Sequence, residues 1–424
     1  METKKSYILS FSLLALLLAG HIFGISKLVL VAVALICGSI LVCKTFTSTS
    51  LMFFFFPFSY IFAYNQYSLC IFMAVAYILR SVSKGRIYIK AFYTLLLLTY
   101  CFFFANYDIG NVKLGTMISP ILISLVIFVC EETEQSDYLT MINFFKDGFI
   151  ISAIVGFFKD QIPSIGRLFD VDFVNDSSAV DPNVIQRYFG LTYDPNFFTV
   201  INCILIAILL FTTKRFTLKE LIQLLFLLIT GLMTFSKSYL LLIVIIVGVY
   251  ILKRSRYVGR NILLLSGAVI AFVLIENLTQ LDLISVSVSR IESSADSGDL
   301  TTGRLELWKE YIIHIFKDPY VLCFGEGFNA LALNVKAAHN SYIDFAYRFG
   351  AIGSVLWLIY FVMSYRTVYK KQKGKSKLAT NMPFLICLIG FMFLSAFTFQ
   401  QLWCCFCLSF FAMYIPEEEK KCLN

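Results

Sequence analysis

His339 is one of only three histidines in this 424-residue chain. It sits in the longest polar interruption of an otherwise apolar sequence, Thr301 to Gly353, together with Arg304, Glu306, Lys309, Glu310, Asp318 and Glu326. A neutral imidazole can take a proton from a hydroxyl nucleophile; the alternative at such a position is an ordinary interfacial residue. Arg187, in QRYFGLTYDPNFF, offers a permanent charge and a planar fork that fits phosphate oxygens, or else anchors the helix that follows. Asp194, Pro195 and Asn196 come next; Pro195 and Asn196 read equally well as capping signals.

Lys237, in TFSKSYLL, is a cation in a turn of a few residues between two apolar helices. A charge there needs a counter-charge or a polar cavity, unless the side chain snorkels out. Arg304 follows Gly303 at the start of a helical pattern, where free backbone N–H groups favour an anion; a solvated first-turn residue is the plainer reading. His339-Asn340 immediately precedes an apolar span. Asp344 and Arg348 are four apart on that span and can pair on one face, which we read as structural. Lys146-Asp147 forms an internal pair or a cavity lining with no assigned role. Gly325 and Gly327 in FGEGF are turn residues, since the Lys and strand context of a phosphate loop are missing. Cys404, Cys405 and Cys407 are membrane packing, and no paired metal-ligand spacing occurs among the twelve cysteines.

These groups must be held by helices in a bilayer. Hydrophobic residues make up 59% of the chain, aromatics 17% and charged residues only 15%, with a mean hydropathy of +0.79. No water-soluble surface can be assembled from that stock. The apolar runs are continuous over roughly 15–20 residues, the length a helix needs to cross the hydrocarbon core, and lack the alternation of barrel strands. The chain is therefore expected to be an all-α polytopic membrane protein, a single domain over 1–424, with about 12–14 transmembrane helices and two larger extracytoplasmic loops.

The spans are expected near 7–24, 26–43, 49–64, 67–80, 87–105, 114–130, 139–158, 196–213, 218–235, 238–252, 261–277 and 341–365, with a hairpin over 382–415 turning near Gln400-Gln401. Threading them in order puts Lys4/Lys5, Lys44, Arg80 to Lys90, Lys214 to Lys219, Lys253 to Arg260 and Arg366 to Lys377 on one side, the cytoplasm by the positive-inside rule. That pattern, rather than nucleic acid, accounts for the net charge of +8. No cleavable signal is expected at the N-terminus. The outer face then carries the loops 159–195 and 278–340, the second with an amphipathic surface helix over Gly303–Phe316 whose apolar stripe is Leu305, Trp308, Ile312 and Ile315.

Taken together, Arg187-Tyr-Phe-Gly-Leu with Asp194-Pro195-Asn196, Thr234-Phe-Ser236-Lys237-Ser238, Thr302-Gly303-Arg304 with Trp308, Asp318-Pro319, Gly325 and Gly327-Phe328, and His339-Asn340-Ser341-Tyr342 with Gly350 and Gly353 resemble the O-antigen ligase and Wzy-type polysaccharide polymerase superfamily. Beyond about residue 185 the order and spacing fit; before it only hydropathy agrees. The resemblance implies a glycosyltransferase of the bacterial cytoplasmic membrane acting at its outer face on undecaprenyl-pyrophosphate-linked oligosaccharide, with no metal, nucleotide sugar or cofactor. It further implies a chain-length regulator and a flippase as partners.

Carried over by position, Arg187 and Arg304 would bind the donor pyrophosphate and His339 would orient or deprotonate the acceptor hydroxyl, with Lys237, Asp194, Asn196, Asn340 and Tyr342 lining the substrate. Two positions depart from the family: Lys237 stands where Arg is frequent, losing the bidentate fork, and Arg348 stands where an acidic residue is frequent. The expected reaction is repeat-unit polymerisation. A ligase transferring the finished chain to lipid A core or another terminal acceptor is the nearest alternative, and a transporter of the same lipid-linked sugars a third. The concentration of polar groups in the outer loops, rather than through the spans, favours an enzyme.

Overall fold

A computed structural model of the protein describes residues 2–64, 67–86, 93, 96–97, 100, 119–169, 187–213, 216–253, 266, 303–327, 333, 337–371, 381–395 and 400–415. The expected spans at 87–105 and 261–277, and the inner parts of both large loops, lie almost wholly outside them. The described chain is an all-α polytopic membrane protein. Among the described residues four helices are long and apolar enough to cross a membrane, Glu2–Ile22, Gln135–Phe157, Pro195–Thr212 and Ser341–Lys370, and there are shorter apolar helices besides.

In order, the first helices are α1 (Glu2–Ile22), α2 (Ser26–Val42) and α3 (Thr45–Phe55). The span expected over 49–64 is interrupted. A 3₁₀ turn takes over at Phe56–Ile61, with Pro57 at its start, because proline lacks the N–H that would continue the α-helical ladder. A short hairpin follows, Ala63–Tyr64 pairing antiparallel with Tyr67–Ser68. Next come α4 (Leu69–Ser83), α5 (Ser119–Glu132), α6 (Tyr138–Phe157) and α7 (Pro163–Phe169). The second half holds α8 (Pro195–Thr212), α9 (Leu218–Leu232), α10 (Lys237–Lys253), α11 (Arg304–Lys317), α12 (Pro319–Phe324), α13 (Ser341–Lys371), α14 (Met382–Gly390) and α15 (Gln400–Met413). A 3₁₀ turn at Phe391–Phe393 extends α14, so the turn of the C-terminal hairpin falls before Gln400 rather than at it.

Hydropathy makes these helices alike, but packing ranks them. The apolar window of α8 is 83% buried and that of α13 only 33%. Thus α8 is the central post, packed by α9, α10, α14 and α15, while α13 is far less buried.

Arg80 and Asp147 anchor two polar ties inside the bundle. Arg80 is fully buried and donates Nη1 to Glu132 Oε2 at 2.9 Å, Nε to the Cys43 carbonyl at 3.1 Å and Nη2 to Thr45 Oγ1 at 2.6 Å. It thereby ties the α2–α3 link to α4 and α5. Removing one partner strands a charge in a medium that cannot solvate it. Glu132→Ala is expected to cost about 3–5 kcal/mol, read as a lowered unfolding temperature in detergent, whereas Arg86→Ala, at 3.8 Å and half exposed, should cost about 0–1 kcal/mol. Asp147 is the hub of a second tie. It accepts from the Tyr7 hydroxyl at 3.0 Å, Gln223 Nε2 at 2.9 Å and Lys219 Nζ at 3.5 Å, while Lys146 turns to Asn143 Oδ1 at 3.0 Å. The two neighbours therefore do not pair with each other.

The helix expected over Gly303–Phe316 is present as α11. Tyr311 and Ile315 are the buried residues, the Trp308 indole donates to the Ala338 carbonyl at 2.8 Å, and Leu305, Ile312, Ile313 and Phe316 are exposed. Below it α13 is broken at Gly350, which has φ 61° and ψ −169°. Gly325, at φ 80°, lies against the same place: a Cβ on Gly325 would meet the Arg348 carbonyl carbon at 2.4 Å, and one on Gly350 that of Cys323 at 2.4 Å. Only glycine permits this crossing. The carbonyls freed by the break are satisfied by Glu326 N–H on Tyr347 O (2.8 Å), Gly327 N–H on Arg348 O (3.0 Å) and the Tyr100 hydroxyl on Phe349 O (2.7 Å), as an interrupted helix at membrane depth requires.

Candidate active site

Local rules place the residues. Asp194 is the N-cap of α8, its Oδ1 accepting from Asn196 N (2.6 Å) and Phe197 N (3.3 Å), with Pro195 in the first turn. Asn340 does the same for α13, taking Tyr342 N at 3.0 Å and Ile343 N at 3.3 Å. Asp194 and Asn340 thus each have a side-chain oxygen committed to the backbone.

Arg187 meets the turn between α9 and α10. Its Nε donates to the Thr234 carbonyl at 2.9 Å and its Nη2 to Asn196 Oδ1 at 3.2 Å. The Ser236 hydroxyl donates to the same Asn196 Oδ1 at 2.8 Å and lies 2.7 Å from Ser238 Oγ. Lys237 is half-buried at the start of α10, where the helix dipole adds to its positive field.

Arg304, His339 and Asp194 share one electrostatic neighbourhood. Arg304 donates to the Phe393 carbonyl at 3.4 Å, and the Asp194 carboxylate opposes the loss of its proton, which burial favours; a guanidinium stays charged throughout. Burial lowers the pKa of His339 from its ordinary 6.5, Arg304 lowers it further, and Asp194 and Asp344 pull the other way. The ring reaches solvent, yet the protein around it withdraws enough water to disfavour the imidazolium. His339 makes no hydrogen bond to another described residue, which leaves both ring nitrogens open to a ligand. Tyr342 points elsewhere: its hydroxyl donates to the Leu388 carbonyl at 2.9 Å, and Ser341 Oγ donates to the Leu394 carbonyl. Both tie α13 to α14.

The start of α8, the α9–α10 turn, the start of α11, the start of α13 and the end of α14 thus meet at one end of the bundle. Ser236 and Asp344 are the site residues that sequence reading missed. Their proximity in sequence to Lys237 and His339 was the available signal. Asp344 pairs with Arg348 Nε at 2.9 Å as expected, but its buried Oδ2 has no hydrogen-bond partner and its charge acts on His339. Because that carboxylate favours the imidazolium, Asp344→Asn should move the acid limb of a kcat/KM-against-pH profile to lower pH; an unmoved limb would detach Asp344 from His339.

Backbone geometry marks the same place. Among the described residues the non-glycine positions with positive φ are Tyr193 (66°), Phe235 (47°) and His339 (48°). Each is beside or within the cluster: Tyr193 precedes Asp194, and Phe235 lies between Thr234 and Ser236. Such conformations persist where surrounding contacts enforce them.

Residues 222–358 match the family model Wzy_C, described as O-Antigen ligase. The match takes in Lys237, Arg304, His339, Asn340 and Tyr342, and begins after Arg187, Asp194 and Asn196. No curated protein and no solved structure matches the chain. Through that stretch, from within α9 to the middle of α13, the chain is similar to the O-antigen ligase family.

Proposed function

We propose that the protein is a polysaccharide repeat-unit polymerase, moving a glycan chain from undecaprenyl pyrophosphate to a hydroxyl of the next lipid-linked unit at the outer face of the bacterial cytoplasmic membrane. The observation that carries this reading is the meeting of Arg187, Arg304 and His339 around the N-cap of α8. Two guanidiniums offer charge and donors to a pyrophosphate, and a neutral imidazole with free ring nitrogens offers a base to a hydroxyl.

In the proposed step the acceptor oxygen gives its proton to His339 and bonds to the anomeric carbon of the donor sugar. The carbon–oxygen bond to pyrophosphate breaks with its electron pair, and attack opposite the leaving group inverts the anomeric configuration. Undecaprenyl pyrophosphate departs as an anion already matched by arginine, so a separate general acid is unnecessary. No step calls for a metal or a cofactor. Both termini lie in the cytoplasm on this reading, and a flippase and a chain-length regulator act before and beside the enzyme.

The family description favours a second reading, a ligase passing the finished chain to lipid A core or another terminal acceptor. A labelled undecaprenyl-pyrophosphate repeat unit, incubated with reconstituted protein and with its His339→Ala and Arg187→Ala variants, separates the two. A ladder of longer lipid-linked products that vanishes in the variants establishes polymerisation. Transfer only to an added non-prenyl acceptor establishes ligation, and neither product from native protein returns the chain to transport.

A further inference from the structure

Asn196 is half-buried at the second position of α8, and its side-chain oxygen is shared. Arg187 Nη2 reaches Oδ1 at 3.2 Å, and the Ser236 hydroxyl reaches the same atom at 2.8 Å. Arginine has only donors to offer, so the amide must turn its oxygen, not its nitrogen, toward this pair. That fixes the protons around it. The Ser236 proton goes to Asn196, so Ser238, 2.7 Å away, donates to Ser236 Oγ. About one turn further along α8 the pattern repeats. Thr234 gives its proton to the Gly231 carbonyl, and therefore accepts from the Thr199 hydroxyl at 3.0 Å and from the Ser236 N–H at 3.3 Å. The turn between α9 and α10 is thus wired to α8 at Asn196 and at Thr199, and Asn196 is the one that also holds the arginine.

The kind of acceptor matters. Arg187 is held through Nε by the Thr234 carbonyl at 2.9 Å and through Nη2 by the amide oxygen. Both acceptors are neutral, so these contacts fix the direction of the fork without cancelling its charge. A carboxylate in place of the amide would make stronger, charge-assisted bonds to the same two donors. It would also set a negative charge against the group that is to meet a pyrophosphate. Asp194 is only two residues away, but its Oδ1 is turned to the backbone N–H groups of Asn196 and Phe197.

We propose that Asn196 is a positioning residue, a neutral clamp that aims the Arg187 guanidinium at the pyrophosphate of the donor and keeps its charge available. Through Ser236 the same oxygen fixes the turn that leads into Lys237. The assignment rests on the function proposed above and goes beyond it, since it gives Asn196 a role toward Arg187 rather than toward the glycan.

The test reads binding of farnesyl pyrophosphate, a short prenyl pyrophosphate, to the reconstituted full-length protein, beside transfer of glycan from the labelled lipid-linked unit. Asn196→Ala removes the clamp and should weaken binding about tenfold. Asn196→Asp keeps an acceptor for both donors, and a carboxylate in the first turn of α8 suits the helix dipole, so its unfolding temperature should equal or exceed the native one. Its binding should nevertheless be weaker than that of the alanine variant. A purely structural acceptor gives the reverse order, with aspartate like native and alanine worse. In an Arg187→Ala background, Asn196→Ala should cause no further loss, because residues that act as one unit are not additive. Thr199→Val removes the neighbouring tie alone; it should lower the unfolding temperature and leave binding unchanged.

Native-like binding in the aspartate variant overturns the proposal. So do losses from Asn196→Ala and Arg187→Ala that add, which would set the amide against the anion itself. Where native protein still transfers glycan, either result removes the clamp and leaves the transferase reading standing. The expected order of binding in a native protein that transfers no glycan keeps the clamp and rejects the transferase reading. A native protein that binds no pyrophosphate overturns both.

Discussion

Replacing His339 by glutamine is expected to lower the rate of glycan transfer about 10²–10⁴-fold while leaving binding of the lipid-linked donor nearly intact. The expectation follows from what the ring touches and what it does not. It makes no hydrogen bond to another described residue, so its loss leaves no protein partner stranded, and the cations that would hold the pyrophosphate are elsewhere, on Arg187 and Arg304. Burial and Arg304 hold its pKa below 6.5, so near neutral pH the ring is already in the proton-accepting form. The native rate should therefore be flat around pH 7 and fall as pH drops through that lowered pKa. In the glutamine variant this acid limb should disappear with the rate. A variant that keeps the native pH profile, or loses donor binding in step with turnover, would remove His339 from the proton transfer.

Arg304→Ala should be nearly as damaging, about 10²–10³-fold in kcat, with a weaker grip on the donor. Its guanidinium is held by the Phe393 carbonyl at the end of α14, beside the Asp194 carboxylate. Charge that develops on a departing pyrophosphate is met there without rearrangement. The substitution has a second, opposite signature: Arg304 depresses the His339 pKa, so its removal should move the acid limb of the residual activity upward. Kinetics over a pH range would show both effects in one experiment. A loss of rate with an unshifted limb would mean that Arg304 and His339 act apart.

Much of this site was legible in the chain because it depends on local rules. Pro195 and Asn196 announce a helix start, and Asp344 with Arg348 a one-face pair; the structure realises both through bonds between residues a few positions apart. What hydropathy could not supply was rank and break. It gave α8 and α13 the same standing as spans, although one is the central post and the other is far less buried. It ran 49–64 together across Pro57, and it gave no sign that Tyr311, amphipathic and easily counted as polar, is the most buried residue of α11. Ser236 was passed over because a hydroxyl in a turn carries no signal until Arg187 and Asn196, some 40 positions upstream, are brought to it.

The left-handed conformations at Tyr193, Phe235 and His339 also bear on how this protein would respond to engineering. Each costs about 1–3 kcal/mol, a sizeable fraction of the margin by which a folded chain normally persists. A selection for heat resistance alone should therefore return glycine or asparagine at Tyr193 and Phe235 early, since those residues relax the backbone. The survivors would be sturdier and slower, because the turns that carry Asp194 and Ser236 would no longer be confined to one shape. Thermostabilised variants made for structure determination would best be drawn from substitutions elsewhere in the bundle.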